Sequence, residues 1–140
     1  MVGAPGSGKS TRAKEIARVS DSVIVCLDTL RGELWGDESI QGPWEELNRL
    51  FKQRVFEVAE SGQNIVIDAT HARKKNRRAT IELLRSECFR PIYCCIVHPP
   101  LEMCLLQNMA RDRRVPQRVI CQMWETIDKN LNSIKKEFDN

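Results

Sequence analysis

The sequence predicts an α/β fold in which a parallel sheet is covered by helices on both faces, and three observations predict it. Short runs at residues 22–27, Asn64–Asp68 and 91–98 are nearly continuous in apolar, largely β-branched character, the pattern of strands buried on both faces. Longer amphipathic stretches alternate with them, and such alternation builds parallel sheets. Length and composition agree: 140 residues, 41% hydrophobic and 29% charged, predict one domain over 1–140 with a real core.

Residues 3–10 read GAPGSGKS, matching G-x-x-x-x-G-K-[ST] in full. Glycines let the backbone turn so that successive N–H groups face phosphate oxygens, and the following helix adds the positive end of its dipole. Gly3, Ala4, Pro5, Gly6, Ser7, Gly8, Lys9, Ser10 and Thr11 are therefore the expected nucleotide cradle. Lys9 is placed to bridge the β- and γ-phosphates, and the Ser10 hydroxyl to ligate Mg²⁺. An amphipathic helix over 9–18 follows where this arrangement needs one. The expected architecture is thus a three-layer P-loop NTPase fold. Only Met1 and Val2 precede Gly3, so its first strand, normally about five residues, is expected as a truncated stub. The chain is expected to start late relative to the ancestral fold, with lower stability.

After the run at 22–27, Asp28 falls at the carboxyl end of a strand, the edge where open α/β sheets bind ligands. Arg31 follows one helical turn later. Asp28 as a helix N-cap is the plain reading. With a P-loop upstream, the pair also suits phosphotransfer, a carboxylate taking a hydroxyl proton and an arginine holding an anionic acceptor group. A long helix is expected over Trp44–Glu60. Asp68 ends the next run, where a carboxylate holds Mg²⁺ directly or through water, and His71 reads as a loop residue near the acceptor. Helices follow over Lys74–Ser86, 100–110 and 116–131, with Pro100 and Pro116 fitting first turns. Between the last two, the segment at about 108–116 carries Arg111, Arg113 and Arg114 and reads as a mobile basic lid over the transferring phosphoryl group.

Other features narrow the class. No apolar run approaches a membrane span, and glycines and a lysine follow Met1 where a signal peptide would be apolar. The six cysteines lack CxxC spacing and several sit in apolar runs, which favours buried free thiols in a reducing cytoplasm over a metal or redox site. A net charge of +3 alone implies no nucleic-acid partner.

In order, GAPGSGKST, LDTLR, DATHARKKNRR and RDRRVP resemble the kinase domain of phage and bacterial polynucleotide 5′-hydroxyl kinases. These lie within the small P-loop kinases, an AAA-type ATP-binding group that includes zeta-toxin-like kinases. The resemblance implies ATP with Mg²⁺ and transfer of the γ-phosphate to a hydroxyl. It implies Asp28 as general base, Arg31 on the acceptor's phosphate, and Arg111 or Arg113 on the donor phosphates. Arg73, Lys74, Lys75, Arg77 and Arg78 form a basic patch suited to a nucleic-acid 5′ end, although no aromatic residue is interleaved for base stacking. A small hydroxylated metabolite as acceptor, and a non-catalytic ATP-binding module, are the alternatives.

Overall fold

Strands β1 (Ser22–Cys26) and β2 (Asn64–Asp68) lie side by side and parallel, with Ser22 opposite Asn64 and Cys26 opposite Asp68. This computed structural model describes residues 1–139. Because side chains alternate across a strand, Val25 and Ile67 face one side and Ile24 and Val66 the other. Val25 and Ile67 join the main core with Leu47, Phe51 and Val55 of α3 (Trp44–Glu60) and Leu30 of α2 (Leu27–Trp35). Ile24 and Val66 pack against Ala13, Ile16 and Ala17 of α1 (Lys9–Ser20). Helix, sheet and helix therefore form three layers, as expected. The in-register pairing brings the carboxyl ends of both strands, with Asp28 and Asp68, to one edge.

Helix α4 (Lys74–Ser86) adds Ile81 and Leu84 to the main core. Helices α5 (Leu101–Met109) and α6 (Gln117–Asp128) enclose Cys104 and Ile120 beside Ala4 of the glycine loop. Pro100 and Pro116 stand just outside these helices as their N-caps, one residue earlier than the sequence predicts. The helix expected over 116–131 ends at Asp128, and α7 (Leu131–Lys135) starts separately. Asn130 accounts for the break: its Nδ2 donates to the Thr126 carbonyl at 2.7 Å, drawing off an acceptor from the last turn of α6.

The run at 91–98 forms no strand. Its one bridge is Val2 with Ile96, made by Val2 N donating to Cys95 O and Val97 N to Val2 O, each at 2.8 Å. A strand exists only as a pair, and Val2 offers one residue's backbone groups to this side. The next residues face the other way: the Met1 amine donates to Ile67 O at 2.9 Å and Gly3 N to Thr70 O at 3.1 Å. Residues 1–3 thus sit between β2 and the 91–98 segment, with Val2 1% exposed. Beyond Met1, between β2 and residues 90–95, lies a cavity of about 670 Å³ bordered by Ile65 and Ile67 on one side and Tyr93 on the other. No described helix is long and apolar enough to cross a membrane.

Candidate active site

The glycine loop closes on itself before α1 begins. Ser7 N donates to Ala4 O at 3.1 Å, and Gly6 and Gly8 take left-handed backbone at φ 77° and 90°. Gly6 is doubly constrained, since a Cβ there would also strike the Cys104 carbonyl oxygen of α5. Gly8 caps α1 with no side chain, so the first-turn N–H groups point out of the helix toward whatever the loop encloses. Ser7 Oγ is buried with no partner among the described residues, a polar atom suited to a phosphate oxygen. Lys9 Nζ lies 3.2 Å from Ala4 O. Burial pulls the Lys9 pKa down, while the carboxylates of Asp68 and Asp28 hold it up and Arg111 pushes it further down.

Ser10 Oγ donates to Asp68 Oδ2 at 2.7 Å, joining residues 58 apart in sequence. Asp68 is 5% exposed at the end of β2. A hydroxyl and one carboxylate suit Mg²⁺, which takes few protein oxygens and completes its shell with water and phosphate. No group of three or more His, Cys, Asp or Glu among the described residues offers a fuller cage.

Asp28 is not the N-cap of α2. Cys26 holds that place, and Asp28 lies inside the first turn, where its charge also complements the helix dipole. Arg31 Nη1 donates to its Oδ1 at 2.6 Å, and Arg113 Nη1 approaches its Oδ2 at 3.2 Å. Arg113 Nη1 makes this contact as an ion pair outside hydrogen-bond angles, and it has no other partner among the described residues. The segment after α5 therefore reaches back across the sheet edge. It separates its arginines, Arg113 sitting on Asp28 and Arg111 acting on Lys9.

One member of the expected basic patch does not belong there. Arg77 is 2% exposed, bound to Glu137 through Nε and Nη2, each at 2.8 Å. Its Nη1 donates to the carbonyls of His71 and Ala72. The signal was present in the sequence: Arg77, Ile81 and Leu84 share the i, i+4, i+7 face that α4 buries. Arg73, Lys74, Lys75 and Arg78 remain exposed. His71 is held by both ring nitrogens, with Nδ1 3.0 Å from Met1 O and Nε2 3.0 Å from Thr80 Oγ1. Burial, assisted by the Met1 ammonium, lowers its pKa to about 4.

The sequence model of a family described as an AAA domain matches residues 1–131. The L-seryl-tRNA(Sec) kinase of Methanococcus maripaludis is 25% identical over 135 residues, which take in 91% of this chain and 51% of that protein. A chain in the solved structure of the Pnkp1/Rnl/Hen1 RNA repair complex aligns with a TM-score of 0.82 at 22% identity, covering 94% of this chain and 44% of that one. The chain spans about half the length of both relatives. The structural likeness establishes the three-layer P-loop architecture.

Proposed function

The chain belongs to the AAA domain family, and from that premise we propose that it is a kinase transferring the γ-phosphate of ATP to a hydroxyl, with an RNA end as acceptor. One observation carries the reading: Asp28 stands at the same sheet edge as the glycine loop, its carboxylate held by Arg31 and Arg113. A regulatory nucleotide-binding module has no use for such a carboxylate. Residues 3–11 hold the phosphates, with Lys9 on the β- and γ-groups and Ser7 Oγ as an added donor. Ser10 and Asp68 hold Mg²⁺, which supplies charge neutralisation on the phosphates when bound.

Asp28 takes the proton of the attacking hydroxyl. The acceptor oxygen bonds to the γ-phosphorus as the bond to the β–γ bridging oxygen breaks, leaving ADP. Oδ2 exchanges Arg113 for the hydroxyl, freeing that arginine for the transferring group, while Arg31 steadies the acceptor and keeps Oδ1 in place. Arg111, whose charge already reaches Lys9, faces the donor phosphates. RNA is favoured because both relatives are named for RNA substrates or RNA repair. Arg73, Lys74, Lys75 and Arg78 supply cations for its backbone. No disulfide is formed among the described cysteines, which fits a cytoplasmic setting, and we read residues 1–140 as one catalytic domain.

The test is transfer of label from γ-labelled ATP to 5′-hydroxyl RNA and DNA oligonucleotides. Asp28→Asn is expected to lower transfer by about 10²-fold or more while leaving the ATP-induced rise in melting temperature intact. Labelling of no oligonucleotide, with turnover on sugars or nucleosides, would move the acceptor to small metabolites. Equal transfer by Asp28→Asn would remove the base.

A further inference from the structure

Asn108, in the last turn of α5, is 7% exposed, a buried amide in an otherwise apolar seam. Its Nδ2 donates to Val115 O and its Oδ1 accepts from Val115 N, both at 2.9 Å. The side chain thus pairs with one residue's backbone as a neighbouring strand would, satisfying donor and acceptor at once. Residues 109–114 are pinched off into a loop with a fixed base, and Arg111 N donating to Asn108 O at 3.2 Å tightens its first turn. That loop carries Arg113 to Asp28. On its other side Asn108 meets the glycine loop: a Cβ built on Gly6 would lie 3.3 Å from Asn108 N.

Resting on the kinase reading, we infer that Asn108 is a positioning residue that clamps the base of the arginine loop and sets Arg111 and Arg113 at the height of the phosphate cradle. The physical need is plain. An arginine on a six-residue loop with free ends samples many placements, and stabilising charge that develops only during transfer requires one placement. An apolar residue fills the seam equally well, so packing alone does not call for an amide. Among the described residues, a single Asn supplies both hydrogen bonds that cross the loop's neck.

The test uses Asn108→Leu, which keeps the branching at Cγ and makes neither hydrogen bond. Two readouts are needed. Limited trypsin digestion without nucleotide reports the loop, since Arg111 and Arg114 are exposed in it; cleavage there is expected to accelerate about ten-fold, as local opening grows easier. In transfer assays, kcat is expected to fall about ten-fold or more with the KM for ATP changed less than about three-fold. If Asn108 acts through the two arginines, adding Asn108→Leu to a variant carrying both Arg111→Ala and Arg113→Ala lowers kcat by less than about two-fold further. Unchanged trypsin cleavage would overturn the clamp, whatever the fate of the kinase reading. Faster cleavage with normal kcat, or additive losses when Asn108→Leu is combined with loss of both arginines, would confine Asn108 to a purely structural role and overturn its positioning. Should wild type phosphorylate no acceptor, the kinase reading fails while the digestion still decides the clamp. If Asn108→Leu melts far below wild type, Asn108→Asp, which keeps the bond from Val115 N, replaces it in the same assays.

Discussion

His71 sits at φ 48°, in left-handed backbone, with both ring nitrogens engaged. Its pKa is lowered to about 4 by burial and then by the Met1 ammonium. Against an unfolded value of about 6.5, the unfolded chain binds the extra proton between these limits, so stability is full above about pH 6.5 and falls as pH drops toward 4. The largest slope this one group can give is about 1.4 kcal/mol per pH unit. His71→Asn tolerates the same backbone without the titration, and denaturant midpoints measured from pH 7 to 4 are expected to fall less steeply. Parallel slopes in the two proteins would sink the assignment. Residue-scale legibility followed the same physics. The cradle, Ser10 with Asp68, and Asp28 with Arg31 were readable because each lies at a motif or a strand end. Arg77 was misread because a run of cations looks solvated until its helical face is counted, and Asn108 was invisible because its partner is a backbone brought round by a loop.

Helix α3 shows what an element owes to its pattern. Leu47, Phe51, Val55 and Val58 line one face at spacings of three and four, and its sequence-predicted bounds match the structure to the residue. So do those of β2 and α4. Leu47 is 1% exposed and Phe56, on the opposite face, 50%. Leu47→Ala is expected to cost about 3 kcal/mol and Phe56→Ala under about 1 kcal/mol, measured by urea unfolding with m-values held equal. Similar losses at both would mean that α3 is not packed through this stripe. Where the pattern failed, at 91–98, the residues have the composition of a strand and lack a neighbour to pair with. Composition records a preference, whereas a ladder needs two chains' worth of backbone.

At the scale of the whole molecule, the C-terminal segment fastens distant parts together. Ile134, with no exposed surface, joins Val2, Ala72 and Ile127 in one cluster. Glu137 neutralises Arg77, and Asp139 bonds the backbone of Ile92 in both directions while reaching Arg85. Removing residues 131–140 would strand a buried guanidinium, at about 3 kcal/mol or more, and uncover Ile134's neighbours at about 2 kcal/mol. That is comparable with the whole stability of a small domain. The shortened chain is expected to lose its cooperative melting transition in circular dichroism; a melting point within about 5 °C of the full chain would show the segment to be dispensable.

The cavity beyond Met1 leaves a mark on the sheet that amide hydrogen exchange can read. In a parallel ladder each residue turns both its N–H and its C=O to one side, and the next residue turns them to the other. The Met1 amine meets Ile67 O, so Ile67, and with it Ile65, faces the cavity, whereas Val66 and Asp68 face β1. Protection along β2 should therefore alternate, Val66 and Asp68 exchanging slowly by way of larger openings and Ile65 and Ile67 rapidly despite lying in the same buried strand. A two-residue rhythm of slow and fast amides would be the signature of a strand whose N–H groups are bonded on one side only, and uniform protection across Ile65 to Asp68 would show that the far edge has found partners.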